Sequence, residues 1–135
     1  MPLLVDTGIL FAYYDKKDFW HPQARALLDA EDSPPVLPAP AIAEADYLLS
    51  TRLGFQGQLA LYDDITQGVY LVANLSPEGY KRVLQLNQQY ADLRLGFVDA
   101  AIIAIAEELG IGAIATTDRR HLGAVQAKIG LELLP

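Results

Sequence analysis

At 135 residues and 14.8 kDa, with 52% hydrophobic residues and a mean hydropathy of +0.18, the chain is expected to form one domain over 1–135, which excludes a disordered tail protein. A net charge of −7, from 10 Lys and Arg against 17 Asp and Glu, argues against tight non-specific nucleic-acid binding. It does not exclude a nuclease, because bound cations reverse the local sign at a carboxylate cluster. With no Cys, a disulfide framework and a thiolate metal site are both excluded. No apolar run is long enough to span a bilayer, and the N-terminus lacks a basic leader region, so a cytoplasmic protein is expected.

The elements alternate along the chain. Leu3 to Val5 reads as a strand and Ile9 to Tyr14 as a helix. Phe19 to Ala30 is expected to be helical, with Pro22 in the first turn and Ala24, Leu27 and Leu28 on one face. After the Asp32-Ser33-Pro34-Pro35 loop, Val36-Leu37 is a second strand. Pro40 opens a helix that continues through Ala41 to Arg52 and stops at Gly54. Gln58 to Thr66 is helical and Val69 to Ala73 is a third strand. Ser76-Pro77-Glu78 starts a helix carrying Val83, Leu84, Leu86 and Asn87 at helical spacing. Phe97 to Leu109 forms the next helix, ended by Gly110. Ala113 to Thr116 is a fourth strand, Arg119 to Leu122 a single helical turn, and Leu131 to Leu134 a last strand. Strands separated by helices predict an α/β fold, a mostly parallel twisted sheet with helices on both faces.

Four acids interrupt or terminate apolar runs: Asp6 after Leu3-Leu4-Val5, Glu44 within Ala41 to Ala45, Asp99 before Ala100 to Ala106, and Asp118 after Ile114 to Thr117. Carboxylates near a core need partners, and a divalent cation with oxygen ligands is the simplest. Asp6 and Asp118 fall at the carboxyl ends of strands, where parallel sheets bind ligands. Glu44 and Asp99 fall near the starts of helices. Asp6, Asp99 and Asp118 taken alone each read equally well as a cap or a dipole-matched residue, and the conjunction of the four acids is what points to metal-dependent phosphodiester hydrolysis. Glu44 is the hardest to read as surface, because Ala41, Tyr47 and Leu48 at helical spacing look core-like. Asp15, Asp18, Asp29, Glu31 and Asp32 lie in polar or loop surroundings, and Asp63, Asp64, Glu107 and Glu108 read as solvated. Neither His21 nor His121 is required, and both read as surface or capping residues.

The segments Leu4-Val5-Asp6-Thr7, Ala41-Ile42-Ala43-Glu44, Leu95 to Ile102 and Ala115 to Leu122 give the chain its likeness to a family. In this order they resemble the PIN domain, and within it the VapC-like toxin ribonucleases. The resemblance implies that Asp6, Glu44, Asp99 and Asp118 bind Mg²⁺ or Mn²⁺ and catalyse RNA hydrolysis, with Thr116 supporting the metal site. It also implies homodimers and an inhibitory antitoxin partner. Gly8 stands where a small hydroxyl residue or Asn is common, and Leu122 where an aromatic is frequent. Asp92 matches an acid frequent in the subgroup, while a loop or cap role explains it equally. Arg119, Arg120 and Arg94 are candidate contacts to an RNA backbone.

Other readings are weaker. Asp6-Thr7-Gly8 resembles an aspartic protease signature, yet its flanks are helical. A haloacid-dehalogenase-type phosphatase needs a second Asp at the position of Gly8. The principal alternative is a catalytically silent PIN-like binding or scaffolding module, from which nuclease activity abolished by EDTA would distinguish it.

Overall fold

The fold was analysed in a computed structural model describing residues 2–30, 32–118 and 120–135. The short apolar runs form a five-stranded sheet of order β3-β2-β1-β4-β5. The strands are β1 (Leu4–Val5), β2 (Val36–Pro38), β3 (Leu71–Ala73), β4 (Ala113–Ala115) and β5 (Glu132–Leu134). All four pairings are parallel, with Leu4 opposite both Val36 and Ile114, Val36 opposite Leu71, and Ile114 opposite Leu133. The inner strands are buried throughout, as expected for a parallel sheet covered by helices. Edge strand β3 leaves Leu71 and Val72 exposed.

Seven α-helices are present among the described residues: α1 (Thr7–Tyr14), α2 (His21–Asp29), α3 (Ala39–Arg52), α4 (Phe55–Thr66), α5 (Pro77–Gln89), α6 (Gly96–Leu109) and α7 (His121–Ile129). Their starts carry the signals of the sequence. Pro22 and Pro40 stand in the first turns of α2 and α3. The Ser76 hydroxyl accepts the Gly79 N–H at 2.9 Å at the start of α5. Gly110, at φ +66°, closes α6 in the left-handed conformation that a side chain disfavours. Two helices are the inner ones. α1 buries Ile9, Leu10, Phe11 and Ala12, and α6 buries every residue from Ala100 to Ala106.

Three sequence expectations are corrected. Arg119 to Leu122 was expected to give one helical turn, but the chain forms the nine-residue α7, whose Leu122 and Val125 reach the core. Gly123 weakens the helical signal there. Val83, Leu84 and Leu86 were read alike at helical spacing on α5, yet Leu84 is exposed while Leu86 is fully buried. Asp64 is half-buried rather than solvated, because it accepts a hydrogen bond from the Tyr14 hydroxyl at 2.7 Å.

The strand order fixes where a ligand can go. From β1 the chain steps outward to β2 and β3, then crosses back over β1 to β4 and β5. The direction of winding reverses between β1 and β4. In an open parallel sheet such a reversal leaves a crevice beyond the carboxyl ends of the two strands. Asp6 follows β1 and Asp118 follows β4 by three residues.

Candidate functional site

The crevice is built on backbone pairing. The Asp6 N–H donates to the Ala115 carbonyl at 2.9 Å, so the β1–β4 ladder continues to the acid itself. Asp6 is also the N-cap of α1: its Oδ1 accepts the Thr7 N–H at 2.6 Å. Its Oδ2 accepts the hydroxyl of fully buried Thr116 at 2.6 Å. That hydroxyl in turn accepts the Asp118 N–H at 2.8 Å. Asp118 Oδ1 accepts the N–H groups of Arg120 and His121, both at 2.9 Å, and so caps α7. For Asp6 and Asp118 capping and membership of the site therefore coincide.

The other acids approach from helices that begin at the same edge. Asp99 lies in the first turn of α6, and Glu44 in the second turn of α3. Asp6, Glu44, Asp99 and Asp118 all line one cavity of about 450 Å³, together with Thr7, Gly8 and the 95–98 segment. The positive ends of α1, α6 and α7 face it and offset part of the negative charge. Gly8 fits this wall closely: a Cβ there would lie 2.3 Å from the Thr117 hydroxyl oxygen.

The electrostatics are those of crowded acids. Asp6 is only 5% exposed, and its burial raises its pKa above the ordinary carboxylate value. The Thr116 and Thr7 hydrogen bonds work against that rise, and repulsion from Asp118 and Glu44 adds to it. Burial also pushes Asp99 up to about 6, helped by repulsion from Asp6 and opposed by its hydrogen bond to His121.

His121 is the residue that the sequence did not single out. It was expected to be a surface or capping residue. Instead its Nδ1 lies 3.0 Å from Asp99 Oδ2 and 3.7 Å from Asp118 Oδ2. One ligand atom each from Asp99, Asp118 and His121 falls within 4.8 Å of the others. The contact joins residues 22 positions apart on different helices, so no local spacing announces it. A second hidden feature is Thr7, whose buried hydroxyl has no hydrogen-bond partner among the described residues.

Other expectations change. Glu44 is exposed at the cleft rather than embedded in a core-like face, and Tyr47 is 67% exposed. Asp92 stands exposed on a 3-10 turn over Ala91–Leu93 and is not among the cavity-lining residues. Arg120 is exposed beside Asp118, and Arg119 lies outside the described residues. Clustered carboxylates with raised pKa values, an imidazole beside two of them and an orphaned buried hydroxyl form a donor set that suits a hard divalent cation.

Known proteins share this fold. Residues 3–127 match the PIN domain family. Ribonuclease VapC26 of Mycobacterium tuberculosis is 30% identical over 124 residues, covering 92% of each chain. The crystal structure of M. tuberculosis VapC20, described as a sarcin-ricin loop cleaving toxin, superposes with a TM-score of 0.82 at 20% identity, covering 90% of this chain and 94% of that one. FitAcB from Neisseria gonorrhoeae gives a TM-score of 0.70 at 17% identity, covering 98% of this chain and 96% of that one. The match spans nearly the whole sequence, so the chain belongs to the PIN domain family and is a relative of the VapC ribonucleases.

Proposed function

We propose that this protein is a VapC-type toxin: an endoribonuclease that hydrolyses RNA phosphodiester bonds at a Mg²⁺ or Mn²⁺ site. The observation that carries the reading is the convergence of Asp6, Glu44, Asp99 and Asp118 on one cavity at the reversal point of a parallel sheet. The relationship to ribonuclease VapC26 supports RNA as the substrate class.

In this reading Asp6, Asp99 and Asp118 hold the cation, directly or through water, and Glu44 either joins them or accepts the proton of the attacking water. When bound, the cation lowers the pKa of that water and neutralises charge developing on the phosphate oxygens. Thr116 orients Asp6 and favours its ionised form through its 2.6 Å hydrogen bond. His121 holds the Asp99 carboxylate in place. Arg120, with Arg119 beside it in sequence, reaches for the RNA backbone.

The VapC likeness further supports a cytoplasmic setting, a homodimer and a cognate antitoxin protein that restrains the enzyme. Exposed apolar side chains on α3 and α4, among them Tyr47, Phe55 and Tyr62, offer surface for such contacts. No helix among the described residues is long and apolar enough to cross a membrane. The test is cleavage of a mixed RNA pool by purified protein, with Mn²⁺ and with EDTA. Cleavage that requires the cation supports the reading. RNA binding without cleavage under either condition favours a silent binding module.

A further inference from the structure

Phe97 is the aromatic side chain among the residues that line the cleft. It lines the same cavity as the four acids, and 48% of its surface is exposed. The backbone leading into it is held. Gly96 precedes it at φ +82°, a backbone conformation that a side chain would strain. The Asn87 side chain clamps that glycine from α5: Oδ1 accepts the Gly96 N–H at 2.9 Å, and Nδ2 donates to the Gly96 carbonyl at 3.2 Å and to the Val83 carbonyl at 2.9 Å. Behind the ring stands Tyr80, itself 57% exposed, with ring centroids 6.1 Å apart and planes 30° from parallel. The backbone before Phe97 is thus clamped, and the aromatic pair is left open beside an acid-lined cleft.

We infer that Phe97, backed by Tyr80, is a stacking platform for a base of single-stranded RNA next to the scissile phosphate. The inference rests on the ribonuclease reading and adds a substrate subsite to it. Splayed bases of single-stranded RNA stack on aromatic side chains, and every base offers a π face. The charge balance points the same way. A chain of net charge −7 gains little from general phosphate attraction, so its hold on RNA has to come from contacts that charge does not oppose. Continuity of Phe97 with the acid cleft selects a nucleobase over a second copy of the chain as the occupant.

The experiment is steady-state cleavage of a single-stranded RNA dodecamer in Mn²⁺ by wild type, Phe97→Ala, Phe97→Leu, Phe97→Trp and Leu109→Ala. Leu109 is exposed at the far end of α6 and serves as the control. Both Phe97→Ala and Phe97→Leu should raise KM roughly tenfold with a smaller change in kcat, and Phe97→Trp should restore it. A second readout does not require cleavage. In Asp99→Asn carrying Phe97→Trp, the same RNA should quench the new tryptophan emission beyond the background from Trp20, the single native Trp. A wild-type KM in Phe97→Leu would make the ring mere apolar packing and overturn the platform. So would unchanged KM in Phe97→Ala together with a shift of solution mass from dimer to monomer, which would make the face a contact between copies. Failure of the ribonuclease reading looks different: no cleavage by wild type, with quenching still reporting on the platform.

Discussion

The Thr116 hydroxyl donates to Asp6 Oδ2 at 2.6 Å, tying together residues 110 positions apart at the ends of the two central strands. The same hydroxyl accepts the Asp118 N–H. One buried group thus aligns two of the four acids and opposes the rise in the Asp6 pKa that burial causes. Thr116→Val keeps the shape and removes both hydrogen bonds. The expected loss is about 1–3 kcal/mol of stability, because a buried carboxylate loses its donor. Thr116→Ser should recover most of it. Urea unfolding of the three proteins checks this, and a Val variant as stable as wild type would remove Thr116 from the account.

A second prediction concerns pH. Asp99 has its folded-state pKa raised from the ordinary 3.8 to about 6. Its contribution to stability is therefore fully present below about 3.8 and is lost as pH rises through about 6. Burial raises Asp6 in the same direction. In EDTA, thermal stability should fall between about pH 4 and 6, and Asp99→Asn should flatten that dependence. A wild-type profile that instead rises across this interval, and does so equally in Asp99→Asn, would contradict the crowding of acids in the cleft.

Metal addition should act in the opposite sense. A ligand that binds only the folded state raises the unfolding temperature by mass action. At pH 7, Mn²⁺ should shift wild type upward and Asp6→Asn less. Equal shifts in both proteins would show that the ion binds elsewhere.

His121 supplies a further test. Its Nδ1 contact with Asp99 orients a proposed metal ligand. Loss of such supporting partners commonly weakens metal sites by about 10–100-fold. His121→Ala should weaken Mn²⁺ activation to about that extent, and His121→Asn, which can donate from nearly the Nδ1 position, should recover part of it. A manganese titration of the cleavage rate measures both.

The tyrosine network away from the cleft predicts stability without activity. The Tyr14 hydroxyl donates to Asp64 at 2.7 Å and lies 2.9 Å from the hydroxyl of buried Tyr70. Burial raises the pKa of both tyrosines, so both stay neutral. Tyr14→Phe strands Asp64 and should cost about 1–2 kcal/mol while leaving RNA cleavage unchanged. Chemical unfolding paired with the cleavage assay separates the two effects.

Much of this was legible in residues that break local rules. Asp6, Asp99 and Asp118 stand at the edges of runs that the structure buries, and acids in such places mark a crevice. The strands were legible because their apolar runs are too short for helices and are bounded by turn residues. Strand order was not, because nothing local in Leu4-Val5 specifies Val36 on one side and Ile114 on the other. His121 was invisible for the same reason: its partner lies on another helix. α7 was read short because Gly123 interrupts its propensity, and docking of Leu122 and Val125 into the core outweighs that cost. Tyr47 misled because an aromatic at helical spacing does not reveal which side of a helix meets the sheet.

Asp99 is where the account is most directly tested. Asp99→Asn preserves volume and removes the charge that a cation needs, and Asn and Asp have similar helix propensities. Asp29→Asn is unsuitable as a control, since Asp29 accepts the Tyr13 hydroxyl at 2.7 Å and pairs with Arg25 at 3.1 Å. Exposed Asp63 serves instead. The measurement is single-turnover cleavage of a mixed RNA pool in Mn²⁺ by wild type, Asp99→Asn and Asp63→Asn, with folding of each verified by circular dichroism. The account predicts loss of cleavage by orders of magnitude in folded Asp99→Asn and near-wild-type rates in Asp63→Asn. Near-wild-type cleavage by Asp99→Asn would contradict it.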